Sequence, residues 1–358
     1  MQALKVLHLP VNIASQVSVT VRALRDIGVT ARGLVLPLAP TQSPVDVELM
    51  PVASTRTLAQ GLPAMARRWR MVVQAVCWSD VVHWHFGRSL APLGLDIYLI
   101  KILGKASVVE FWGSDIRIPE VAASDNPYVA RLGKNHEYGD MESYARSRRT
   151  QSRFARAGFE CLVSSEELLP YVQRDLFPQA RFARQRVLTE EYAPRYPNPH
   201  KRRPLVVHST SARLYKGTPS VVAVVERLQR VLDLEFVVNH HRPRAEALKT
   251  VGGADIFLDQ FLVGGYGLAA VEAMAFGKPV VCYVKPSLES QYPPDLPIVN
   301  ANQDNLSEVL ERLVTDGRLR REIGKRGRAY AEKHHDAHKI AHQLLGIYEE
   351  LLSERRRT

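Results

Sequence analysis

Short apolar runs rich in β-branched residues recur along the chain and alternate with longer segments of helical period. Five fall in the first half, "LKVLHL", "RGLVLP", "DVVHWH", "ASVVEF" and "ECLVSS", and four in the second, "PLVVHS", "LEFVVN", "ADIFLD" and "PVVCYV". Most stay apolar on consecutive positions, which predicts strands buried on both faces. Between them, segments such as "VSVTVRALRDIG" and "PSVVAVVERLQRVL" have helix length and pattern. This alternation predicts an α/β fold of parallel sheets covered by helices. The proline-rich, basic stretch "YAPRYPNPHKRRP" at 192–204 separates the two sets of strands. The expected architecture is therefore two doubly wound Rossmann-like domains facing across a cleft, at 1–195 and 204–335. A last helix, 336–358, follows the final strand with no sheet left to extend and is expected to cross back to the first domain.

In open α/β sheets ligands bind beyond the carboxyl ends of the strands, so chemistry is sought in the loops that follow them. In "VVHSTSARLYKGTPSVVAVV" a strand leads through a polar loop into a helix. Thr218 is placed to cap that helix and Pro219 suits its first turn. Arg213 and Lys216 lie in the loop, where the helix dipole also favours an anion. The loop lacks the GxxxxGK[ST] spacing of a Walker A motif. Read alone, the two cations are equally an ordinary exposed pair.

The stretch "GGYGLAAVEAMAFGKPVVCYV", Gly264 to Val284, is more specific. Its glycines bare the backbone ahead of a short apolar helix whose first amides begin near Leu268, and one carboxylate, Glu272, lies one turn inside. A glutamate there can accept hydrogen bonds from a vicinal diol such as a ribose whose phosphates meet the helix start. The competing reading is a buried glutamate paired with a lysine or arginine.

Composition narrows the class. The chain has 358 residues with 46% hydrophobic and 24% charged residues, ordinary values for a soluble protein of two domains. No apolar run reaches the roughly 18 residues of a membrane span, and the start does not read as a signal peptide. Cys77, Cys161 and Cys282 follow no ligand spacing and suit a reducing cytoplasm. The net charge of +11 is spread over both halves. Its one concentration is "YARSRRTQSRFARAG", where Arg146, Arg149, Arg153 and Arg156 share one helix face. That face reads as a solvated surface, or as a surface for phosphate or anionic lipid. No helix-turn-helix, zinc-finger or aromatic-plus-basic pattern points to nucleic acid.

"GGYGLAAVEAMAFGKPVV" resembles the donor motif of the retaining GT-B glycosyltransferases of family four, the group 1 enzymes, close to E-G-F-G-L-x-x-x-E-A-M-A-x-G-x-P-V-V. "STSARLYKGT" is similar to that family's diphosphate loop, "DVVHWHFG" to its D-x-V-H-x-H segment and "FWGSDIR" to its [FY]-H-G-S-D segment. "LHLPVNIASQVSVTVRALRDIG" stands where the family has its opening loop and first helix. The resemblance implies a GT-B fold and transfer of a sugar from a nucleotide-diphosphate donor to an acceptor hydroxyl with retention, without metal or cofactor. It implies that Glu272 binds the ribose, that Arg213 and Lys216 hold the diphosphate, and that Gly265, Tyr266, Gly267 and Leu268 form the phosphate end of the donor site. His85 and Asp115 would face the transferred sugar and the acceptor as catalytic groups.

Three positions depart from the pattern. The family's first glutamate is Gly264, leaving Asp259 as the nearest carboxylate for the donor sugar. The histidine of H-G-S-D is Trp112, and the opening loop "PVNIASQ" lacks the family's paired glycines, leaving Asn12 and Ser15 as polar contacts to the donor. The readings that follow are a glycosyltransferase, a nucleotide-sugar epimerase of the same fold, or an inactive nucleotide-binding partner subunit. A dehydrogenase is disfavoured because no GxGxxG follows the first strand. The acceptor would be a saccharide, a lipid-linked sugar or a small natural product, and the place of work the cytoplasm, with a peripheral contact at the inner face of the membrane. His83 and His85 share one side of a strand with no third ligand in sight. His334, His338 and His342 repeat at helical spacing as a zinc set or, more simply, a packing stripe. His240, His241 and Arg242 follow a strand and would border the base.

Overall fold

The computed structural model describes residues 3–39, 42–51 and 58–357. The chain forms two compact units, and each sequence run quoted above becomes a strand. In the first unit β1 (Lys5–Pro10) leads through a short turn into α1 (Gln16–Asp26), β2 (Thr30–Val35) and β3 (Val47–Leu49). Then follow α2 (Leu58–Trp78), β4 (Val81–His85), α3 (Leu95–Ile102) and β5 (Ala106–Phe111). Strands β1, β4 and β5 are almost wholly buried, including the histidines and the glutamate that interrupt their apolar runs.

After Ile116 the chain leaves this unit. Residues Arg117–Tyr144, with α4 (Pro119–Ser124) and α5 (Pro127–Leu132), are part of the second unit. There Asn126 caps α5 with its side-chain oxygen and donates to the Leu262 carbonyl at 2.6 Å. Asp125 meets Lys285 at 2.7 Å, and the Tyr128 hydroxyl donates to Asp304 at 2.6 Å. The chain then returns to the first unit for α6 (Tyr144–Arg156), β6 (Glu160–Val163) and β7 (Arg181–Phe182).

The second unit resumes at Gln185 and carries β8 (Leu205–Thr210), α7 (Thr218–Leu228), β9 (Glu235–His240), α8 (Arg244–Gly253) and β10 (Ile256–Leu258). It continues with α9 (Leu268–Ala275), β11 (Val280–Cys282), α10 (Pro286–Glu289), β12 (Val299–Asn300), α11 (Leu306–Thr315) and α12 (Gly317–His334). Helix α13 (Ala337–Arg355) belongs to the first unit, where the Tyr348 hydroxyl lies 2.6 Å from His83 Nδ1.

Both sheets are parallel throughout: β3-β2-β1-β4-β5-β6-β7 in the first and β12-β11-β10-β8-β9 in the second. Strand order reverses between β1 and β4 in one and between β8 and β10 in the other, and these are the ligand-binding switch points of such sheets. The unit boundaries differ from those read in the sequence. The excursion Arg117–Tyr144 interrupts the first unit, and the proline-rich stretch is packed into the second. There the Arg195 amide donates to Phe276 O at 2.9 Å, and Arg320 donates to Lys201 O at 2.9 Å.

Candidate functional site

The second unit's switch point gathers the donor residues expected from the sequence. β8 ends at Thr210, whose hydroxyl turns the chain by donating to Ala212 O at 2.9 Å. The loop then exposes Arg213 and half-buries Lys216 before Gly217, at φ +80, starts α7. Gly217, not Thr218, is the capping residue. The Thr218 hydroxyl lies 2.9 Å from His208 Nε2, while His208 Nδ1 lies 2.9 Å from the Leu258 carbonyl. A carbonyl only accepts, so Nδ1 carries the proton and Nε2 accepts from Thr218. Burial, with Lys216 and Arg213 near, pushes the His208 pKa down to about 4 despite the raising effect of that carbonyl bond.

Asp259 follows β10 and is fully buried. Its Oδ2 accepts the Gly267 amide at 2.7 Å and its Oδ1 lies 3.3 Å from Lys216 Nζ. This carboxylate therefore ties the loop after β8 to the N-terminus of α9. Its charge is spent on those two partners, and of the expected glycine-loop donors the Gly267 amide is already engaged. Gly265 offers its carbonyl to Gln260, and Leu268 packs against the apolar core. Tyr266 is a core residue: its hydroxyl lies 3.0 Å from His335 Nε2 and its ring 5.0 Å from that of Tyr292. Gly264 sits at φ +88, and an added Cβ would stand 3.1 Å from both Asn126 and Lys285 side chains.

Glu272 lies one turn inside α9 with 10% of its side chain exposed. Its Oε1 is 2.6 Å from Arg244 Nη2 at the start of α8, and the Tyr192 hydroxyl donates to it at 3.3 Å. The structure thus shows the ion-pair reading of Glu272, a buried carboxylate paired with an arginine beside the β8–β10 switch point. Burial lowers the Arg244 pKa, but the charge of Glu272 outweighs it and the net shift is upward. Arg244 and Tyr192 escaped the sequence reading, although Arg244 stands only two residues beyond the "HHR" singled out there. His240 itself is turned back on Thr210 O at 3.1 Å.

A second unforeseen carboxylate reaches this loop. Glu137, from the excursion, accepts the amides of Leu214 at 3.0 Å and Tyr215 at 3.1 Å. Burial acts to raise its pKa, yet the backbone amides of Leu214 and Tyr215 win and hold it below the usual range.

In the first unit, Asn12 and Ser15 shape the turn between β1 and α1. Asn12 Oδ1 accepts the amides of Val17 at 2.9 Å and Ser18 at 3.2 Å, and Ser15 Oγ accepts that of Ser43 at 2.7 Å. Ala14 and Ser15 hold φ values of +46 and +65, so the left-handed backbone survives here without glycine. Asp115 accepts amides from Gly113 at 2.8 Å and Gly87 at 3.0 Å and thereby joins the loops after β5 and β4. Burial raises its pKa, and those backbone bonds pull the other way.

His85 has no exposed surface. It belongs to a buried polar layer with His8, His83 and Glu110, drawn from β1, β4 and β5 in register. His8 Nδ1 is 2.9 Å from His85 Nε2, and Glu110 Oε2 lies 3.0 Å from His83 Nε2 and 3.3 Å from His85 Nδ1. The third histidine that the sequence did not suggest is thus present. Ligand atoms of the three rings lie within 4.8 Å of one another, but His83 and His85 stack at 10° with centroids 4.2 Å apart. An imidazole binds metal in its own plane, so two nearly parallel stacked rings do not share one ion as placed. The other histidine set is dispersed: α12 ends at His334, which contacts Asp295, and His338 lies on α13 against Asp26.

Residues 202–346 match the profile of a family described as glycosyl transferase-like. The whole chain is similar to solved GT-B structures. Sucrose-phosphate synthase from Thermosynechococcus elongatus gives a TM-score of 0.61 at 14% identity, over 99% of this chain and 100% of that one. The chain has the GT-B fold. HepE from Anabaena, in complex with UDP and glucose, gives 0.56 at 14% identity over 97% and 100%. WaaG, a glycosyltransferase involved in lipopolysaccharide biosynthesis, gives 0.56 at 13% over 96% and 99%. No curated protein matches. This fold agrees with the group 1 motifs of the sequence and gives the chain a sheet topology suited to ligands at both switch points.

Proposed function

We propose that this chain is a glycosyltransferase that moves a sugar from a nucleoside-diphosphate donor to an acceptor hydroxyl with retention of configuration and without a metal ion. One observation carries the reading: Glu272, buried and held by Arg244, lies one turn inside a helix whose start is tied through Asp259 to the Arg213–Lys216 loop. A carboxylate fixed at that depth suits a ribose diol, and the two cations suit the diphosphate beyond it. With those cations supplying positive charge, a divalent ion is not required for the leaving group. HepE, described with UDP, puts uridine donors first.

In the first unit, Asp115 and His85 act in this proposal as positioning groups, because backbone amides and buried imidazoles engage them. Asn12 and Ser15 hold the turn that faces the β1–β4 switch point. The acceptor classes are a saccharide, a lipid-linked sugar or a small natural product, and the proposed setting is cytoplasmic.

The test is a thermal-shift screen over UDP-, GDP-, dTDP- and ADP-sugars, followed by assay of nucleoside-diphosphate release with and without candidate acceptors. Acceptor-dependent release is expected. A changed sugar nucleotide without acceptor would replace the reading by an epimerase, and binding without turnover by an inactive partner. Arg213→Ala and Lys216→Ala should lose affinity for the nucleoside diphosphate far more than for the bare nucleoside; equal losses would remove them from the phosphate site.

A further inference from the structure

We propose that the face built by α3 and α6 is a docking surface for anionic lipid bilayers. The arginine stripe of α6 was visible in the sequence, but its apolar companion was not. On α3, Leu95 and Ile102 stand seven positions apart and are 62% and 80% exposed, with Leu103 beside them. Leu93, in the turn before α3, is 85% exposed and holds a left-handed φ of +57. A leucine in that conformation is strained, and its burial does not offset the cost, because the side chain projects into solvent.

The basic side lies directly alongside. Arg149, Arg153 and Arg156 of α6 line a hollow of about 330 Å³ together with Leu93, Tyr98 and Ser152. Arg153 runs over Gly94 so closely that an added Cβ would stand 2.4 Å from its Cδ. Lys101 Nζ donates to Arg156 O at 2.7 Å, which brings a fourth cation to the same edge. Over 92–104 and 144–156 the only acid is Asp96, and it is buried on Ser89 and the Leu90 amide. Arg148 is turned aside to Asp175 at 2.6 Å.

Projecting aliphatic side chains beside guanidinium groups, with no acid among them, match the boundary between acyl chains and phosphate headgroups. The leucines enter the apolar layer while the arginines engage headgroup phosphate in bidentate fashion. A nucleic acid would use the charge but leave the aliphatic stripe unpaired. This surface is independent of the donor site.

The experiment is flotation of the full chain with vesicles of phosphatidylcholine, with and without phosphatidylglycerol. Two triple variants are compared, R149Q/R153Q/R156Q and L93S/L95S/I102S. The parent is expected to float with the anionic vesicles only, and the arginine variant to bind on the order of 100-fold more weakly. The apolar variant should bind at low salt but lose the binding that persists as salt shortens the Debye length. All three should unfold at the same temperature and bind sugar nucleotide equally, because the substituted groups lie on the surface. The proposal is overturned if the parent treats both vesicles alike or floats with neither. It is equally overturned if the variants float as the parent does, or if duplex RNA displaces the vesicles from the arginines.

Discussion

Arg244 Nη2 stands 2.6 Å from Glu272 Oε1, and the Tyr192 hydroxyl lies 3.1 Å from the same guanidinium nitrogen and 3.3 Å from the same carboxylate oxygen. The triangle makes Glu272 rigid before any ligand arrives. Glu272→Gln should weaken sugar-nucleotide binding by about 10- to 150-fold, corresponding to the ~1.5–3 kcal/mol of a charge-assisted bond. Arg244→Ala instead leaves a buried carboxylate without its cation and should cost about 2–4 kcal/mol of stability. Calorimetric titration and urea unfolding separate the two effects. Unchanged affinity in Glu272→Gln would make this pair purely structural.

Asp259→Ala removes the common partner of the Gly267 amide and Lys216 Nζ. The expected loss is about 2–4 kcal/mol, since a buried amide and a half-buried ammonium are both stranded. Asp259→Asn should recover part of it by accepting the amide. Scanning calorimetry of the two variants gives the comparison, and equal stability of both with the parent would refute the tie.

Gly264→Glu restores the family's carboxylate where the backbone opposes it. The position has φ +88, and the new Cβ meets Asn126 and Lys285 at 3.1 Å. Lower stability and lower transfer activity are expected, with strain of about 1–3 kcal/mol. A gain in turnover would contradict this.

Ala14→Gly relieves a left-handed residue at φ +46 in the opening turn. Stabilisation of about 1 kcal/mol is expected, because the strain removed exceeds the extra freedom glycine gives the unfolded chain. Urea midpoints measure it; a lower midpoint would show that the strain is negligible.

His208 is held neutral, with its pKa lowered to about 4 from the ordinary value near 6.5. The unfolded chain then binds more protons than the fold between those two values. The stability tied to this group is complete above pH ~6.5 and is lost as pH falls toward ~4. His208→Gln should flatten the difference in unfolding midpoint between pH 7.5 and pH 5 relative to the parent. An identical pH slope in both proteins would rule out this linkage.

Among the described residues nine strands were legible because each is a short apolar or β-branched run, most of them buried on both faces, a pattern that survives without tertiary knowledge. The three that were not, β3, β7 and β12, have two or three residues each at or near sheet edges, too few for any period. At the site, Glu272, Arg213 and Lys216 could be read because they follow strands in sequence. Arg244, Glu137 and the His8–Glu110 layer could not, since what brings them in is strand register or a polar side chain reaching from a distant segment. The placement of the Tyr266 side chain in the core was hidden for a related reason. An aromatic in a glycine loop reads as exposed until His335 and Tyr292 are seen to enclose it.

The excursion Arg117–Tyr144 has a consequence for how the molecule is made. The second unit receives its first piece well before its own sheet is synthesised, and the first unit waits for α13 until the whole second unit has emerged. The first unit cannot reach its final packing before the whole second unit has been made, and the second holds its first piece until Gln185–Asp336 follows. Maturation of both units is therefore late, and a contiguous fragment such as 202–346 would lack the Asn126, Tyr128 and Glu137 contacts that complete the second unit.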